Sequence, residues 1–102
     1  MNALERLVAT TTEVHALSLD RARETEKLFE ALKKRLPAVL NQIDYTIGFR
    51  CGAERVVRVL ALLGFVPTGE RVGRGRILES RDHRVQIMEP RDGWNPILQV
   101  LN

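Results

Sequence analysis

Residues 53–72, AERVVRVLALLGFVPTGERV, decide how the rest of the chain is read. Val56, Val59, Leu60 and Leu63 fall on one side of a helix of 3.6 residues per turn. The only charges in residues 53–63 are Glu54, Arg55 and Arg58, so this helix is expected to be largely buried. Gly64 follows where helices commonly reverse into left-handed geometry. Phe65 to Val72 then reads as a strand, with Pro67 marking an edge or a bulge.

Upstream, Ser18, Ala22, Thr25, Phe29, Leu32 and Leu36 recur at steps of four and three, and Leu28 widens the stripe. The spacing predicts a helix over 18–36, with Arg21, Glu24, Lys27, Glu30, Lys33 and Lys34 on the wet side. Ser18 is its expected N-cap, and Pro37 is expected to end it at Leu36. Residues 39–47 switch to period two: Val39, Asn41, Ile43, Tyr45 and Ile47 share one face of an expected strand. Before residue 18 two readings stay open. Leu4, Leu7 and Val8 suit a helix, whereas Val8 to Thr12 suit a strand.

Downstream, VGRGR at 72–76 reads as a turn or loop, and His83 to Met88 as the last strand. The closing stretch WNPILQVLN, 94–102, is apolar. The order is therefore strand or helix, helix, strand, helix, strand, strand. Alternation of this kind points to an α/β (α+β) fold with a mixed sheet flanked by helices. Residues 1–90 form the expected domain and residues 91–102 an apolar C-terminal tail.

A chain of 102 residues, 44% apolar and 28% charged, fits one globular domain. No apolar run is long enough to cross a membrane, and Glu5 and Arg6 interrupt any secretion signal, so no membrane partner is expected. Cys51 is the only cysteine, which fits a reducing compartment. With His15 and His83 it has no metal-ligand spacing, so no metal is expected.

The net charge is +3, and residues 71–84 account for it: Arg71, Arg74, Arg76, Arg81 and Arg84 stand against Glu79 and Asp82. These arginines fit phosphate or nucleic-acid contact, with Gly73 and Gly75 allowing close backbone approach. A solvated, mobile hairpin is the other reading, and the one favoured. No aromatic residue interleaves with them, which gives no platform for stacked bases.

Tyr45 reads as a core tyrosine with its hydroxyl at the rim, or as an acid. His15 reads as a surface or capping residue, or as a base. Cys51, next to Gly52 before a helix, reads as an inert thiol, or as one with a lowered pKa. Trp94, Ile97, Leu98 and Leu101 are the candidate partner-binding residues, because an apolar tail either folds back on the core or docks on a neighbour.

AERVVRVLALLGFVPTGERV followed by HRVQIMEP resembles the C-terminal half of the GCN5-related N-acetyltransferase fold. There a helix ends in Leu-Gly-Phe, here Leu63-Gly64-Phe65, and a final strand ends in an apolar-Met-Glu run, here Ile87-Met88-Glu89. With LVATTTEV, the helix ending LKKRLP and the strand VLNQIDYTI, the chain is also similar to acetyltransferase-like virion proteins of tailed, T7-like phages. The similarity covers about residues 7–89 and makes Leu7–Thr11 a strand. The family's coenzyme loop needs glycine to approach pyrophosphate. The matching Thr11-Thr12-Glu13-Val14-His15-Ala16 has none. Leu60 stands where the family places a general-acid tyrosine, and Ala53 near its asparagine. The N-terminal lobe has no counterpart.

The resemblance thus implies a truncated, catalytically inert relative that binds no cofactor: a phage virion or assembly protein, found in the virion or host cytoplasm. An exposed strand edge on its N-terminal side would be completed by a second copy or another virion protein. The other readings are an N-acetyltransferase completed by a second chain, and a small nucleic-acid-binding regulator.

Overall fold

A computed structural model describes the backbone of residues 3–91 and 94–102, and the side chains of residues 21–91 and 94–102. It is an α+β fold of two helices and one five-stranded antiparallel sheet. Helix α1 spans Ala3–Val39, β1 Thr46–Gly48, α2 Ala53–Leu62, β2 Val66–Val72, β3 Gly75–Glu79, β4 Arg84–Met88 and β5 Ile97–Val100.

The sheet order is β1-β5-β4-β3-β2, and every neighbouring pair runs antiparallel, so the sheet is not mixed. Alternation of helix and strand suggested parallel neighbours. Here α2 instead carries the chain from one edge strand to the other. The two edges lie four strand spacings apart, about 19 Å. Helix-facing rows run Leu78–Val85–Val100 and Arg76–Ile87–Leu98–Ile47 across the strands. The apolar members of these rows join Leu32, Leu36 and Val39 of α1 and Val56, Val59 and Leu60 of α2 in one core.

Helix α1 begins at Ala3 rather than at Ser18. Leu7–Thr11 are helical, not a strand, and Thr11–Ala16 lie within the helix rather than in a loop. The side chains of Ser18, the expected N-cap, and of His15 fall outside the described residues. Thirty-seven residues of helix extend about 55 Å at ~1.5 Å per residue, which accounts for the longest dimension of the molecule, 59 Å. Pro37 does not stop the helix at Leu36; the last turn runs on to Val39. So late in a helix, proline removes one donor while little helix remains to be kinked.

The expected strand 39–47 shrinks to Thr46–Gly48. Val39 belongs to the helical stripe of Leu32 and Leu36, and all three are buried. After it the chain turns, with Gln42 N–H donating to Val39 O at 2.9 Å and Tyr45 N–H to Gln42 O at 3.0 Å. Asp44 takes φ 67°, left-handed geometry that an Asp tolerates better than most residues.

Two strands were not expected. VGRGR contains a turn of only two residues, Gly73 and Arg74, and β3 starts at once with Gly75. Gly73 alone has positive φ there, 59°, the II′ arrangement suited to a hairpin. The apolar tail becomes β5, hydrogen-bonded between β1 and β4. The fourth strand, Arg84–Met88, is therefore not the last.

Helix α2 ends as its sequence suggests. Phe65 N–H donates to Leu60 O at 2.9 Å and Gly64 N–H to Ala61 O at 3.1 Å, the Schellman pair. Gly64 has φ 97°, and the space where a Cβ would sit is open. The cost of Gly64→Ala therefore falls on the backbone alone, about 1–2 kcal/mol. Urea unfolding is expected to show that loss; an unchanged midpoint would mean that the turn relaxes to negative φ.

Candidate functional site

Two concave regions stand out, one on the helices and one at the sheet's hairpin end. The first lies between α1 and α2, an open groove of about 670 Å³. Ala22, Thr25 and Phe29 line it from α1, and Arg58 and Leu62 from α2. Arg21 and Glu26 of α1 line it as well. Leu62 is 66% exposed although apolar. Val59 to Leu63 is an unbroken apolar run, and a helix cannot turn five consecutive side chains toward one core. Val59 and Leu60 take the buried places, and Leu62 is left on the groove. That run was the sequence signal for the groove. Lys33 lies over the Phe29 ring at 5.7 Å, capping its outer side.

The second region is a cavity of about 230 Å³ beside the β2–β3 turn. It brings together Arg71, Arg74 and Arg76 with Ala53, the first residue of α2. Arg76 reaches Glu54 on α2 at 2.5 Å, and that bond holds the Glu54 carboxyl below its ordinary pKa. The side chain of Glu54 is largely exposed, so the pair contributes about 0.2–1 kcal/mol.

The five arginines of 71–84 do not form one patch. Arg81 sits in the β3–β4 turn, at the other end of β3, about 15 Å of strand away. Arg84 bonds Glu70 at 3.0 Å. Its buried Nε lies 3.1 Å from Glu79 but off the hydrogen-bond line, so that contact is one of charge alone. Gly75 does not leave the backbone open to phosphate either, because the Gln86 side chain lies over it.

The partner-binding candidates divide. Trp94 is exposed, with the Arg91 guanidinium 5.1 Å from its ring centre. Ile97 is half-buried on the sheet face away from the helices, and Leu101 is half-buried too. Leu98 is fully buried in the core row of β5 and has no surface to offer.

Tyr45 is half-buried, and its hydroxyl accepts a hydrogen bond from Arg35 Nη2 at 3.1 Å. His83 Nε2 meets Asn41 Oδ1 at 3.1 Å. Cys51 is half-buried, and burial pushes its thiol pKa up, Arg55 opposing only in part. It stays protonated at neutral pH and is expected to alkylate more slowly than free cysteine at pH 7.5. A rate matching or exceeding that of the free amino acid would restore it as a nucleophile. Leu60, at the position of the family's acid, is in the core at 0% exposure. Among the described residues no group of His, Cys, Asp and Glu could hold a metal ion, and no helix is long and apolar enough to cross a membrane.

No protein-family model, curated protein or solved structure matches this chain.

Proposed function

We propose that the protein acts by contact with other proteins rather than by catalysis, as a virion or assembly component of a tailed phage. The groove between α1 and α2 carries the first half of this reading. It is apolar, open and adjacent to the core, and Leu62 and Phe29 form its walls. Apolar surface of this kind is the usual mark of a contact site. The virion setting rests on the sequence resemblance alone, of which the strand implied at Leu7–Thr11 is helical.

The sheet edges are poor docking sites by comparison. Edge strand β1 has three residues. Edge strand β2 carries Pro67, Glu70 and Arg71 and is bulged, three of its residues standing opposite Ile77 alone. Proline, charge and bulges are the devices by which proteins keep strands from pairing. The contact surface favoured here is therefore helical.

Light scattering of the full chain tests the reading, with Leu62→Arg as the variant. The expected result is a mass above one chain that falls toward one chain in Leu62→Arg, with the fold kept by circular dichroism. A strict monomer that turns over acetyl-coenzyme A would overturn it.

A further inference from the structure

We propose that the cavity between the first turn of α2, the β2–β3 hairpin and the end of β4 binds a phosphoryl group. Arg71 and Arg76 are register partners on β2 and β3, so their side chains leave the same face of the sheet. Like charges directly opposite one another are unfavourable, with Cβ atoms about 4.5–5.5 Å apart. An anion between them removes that cost. Glu54 does so in part: it bonds Arg76, whereas Arg71 forms no ion pair among the described residues.

Arg74 lines the same cavity from the turn. Three arginines thus line one small cavity, with Glu89 in its wall and Glu54 bonded to Arg76. Ala53 brings the start of α2 to the cavity wall, and the helix has no side-chain cap at Gly52. Its leading N–H groups and the positive end of its dipole add to the arginine field.

The ligand class follows from shape and donors. About 230 Å³ is smaller than the ~300–1,000 Å³ typical of drug-sized pockets. Arginine forks pair bidentately with the oxygens of compact anions. A tetrahedral phosphoryl dianion presents enough oxygens for two forks and a backbone N–H, which a single carboxylate does not. An extended nucleic-acid strand fits poorly, since Arg81 lies at the far end of β3 and Arg84 is held by glutamates. The site is separate from the α1–α2 groove and stands or falls without it.

The test uses the full chain titrated with inorganic phosphate at constant ionic strength, followed by amide chemical shifts. The expected result is saturable binding in the millimolar range, with shifts at Ala53 and in residues 71–76. Arg71→Gln is expected to weaken it about tenfold. Arg71→Lys, which keeps the charge without the fork, is expected to fall between the two. Arg81→Gln is expected to change nothing. Thermal unfolding of each variant without phosphate separates lost binding from lost fold. Non-saturable shifts, or equal losses in Arg71→Gln and Arg81→Gln, would overturn the site. A single-stranded oligonucleotide whose binding depends equally on Arg71, Arg81 and Arg84 would overturn it in favour of a diffuse basic surface.

Discussion

Removal of residues 91–102 is expected to abolish cooperative folding. The lost segment contains β5, which lies between β1 and β4 and pairs with both. Without it β1 loses its only partner in the sheet, and β4 gains an open edge. Leu98 and Val100, both at 0% exposure, leave the centre of the core, and Pro96 leaves beside them. Each such side chain contributes about 1.5–3 kcal/mol when buried, and whole domains have only about 5–15 kcal/mol in hand. Chemical denaturation of the truncated chain should show a sloping, non-cooperative change. A sharp transition near that of the full chain would mean that these residues are an appendage after all.

The same strand shows where the sequence stopped being legible. Ile97, Leu98 and Val100 announce burial, but nothing local says which strands will flank them, because a sheet partner is chosen across the chain. β5 reads as a tail because it lies beyond His83 to Met88, the expected last strand. The turn at Gly73 was legible in VGRGR, but the strand that starts at Gly75 was not. Two glycines within five residues left turn and loop both open, whereas one glycine with positive φ suffices for the reversal and the other underlies Gln86 within β3. At 39–47, period two was an accident of a helix end followed by a turn. Val39 fits both periods, and only the core decides in favour of Leu32 and Leu36. By contrast, Leu63-Gly64-Phe65 was readable throughout, because each step of that cap is a local hydrogen bond. The arginines of the phosphoryl cavity were visible as a cluster, yet their division into two ends of one hairpin strand needed the register. The groove was legible only in the surplus of apolar residues at 59–63.

Leu60→Ala is expected to be the most damaging single substitution on α2. Leu60 is fully buried and belongs to the core shared by both helices and the sheet. Its carbonyl also accepts the closing hydrogen bond from Phe65 N–H, so the side chain is held on a fixed turn with little room to relax. Truncation at such a site costs about 2–5 kcal/mol through lost burial and the cavity left behind. At about 4–8 °C per kcal/mol for a domain near this size, thermal unfolding should move down by tens of degrees or the fold should fail outright. A shift of only a few degrees would place Leu60 in a plastic region and weaken the account of the core. Leu60→Tyr separates packing from chemistry. It installs the acid that the acetyltransferase resemblance lacks, at a position where a larger ring overpacks the core by about 1–3 kcal/mol. The expected result is a destabilised protein with no acetyl transfer, because a hydroxyl at 0% exposure reaches no substrate. Acetyl transfer by Leu60→Tyr would show instead that this helix end opens to a ligand, and the contact-only reading would fall with it.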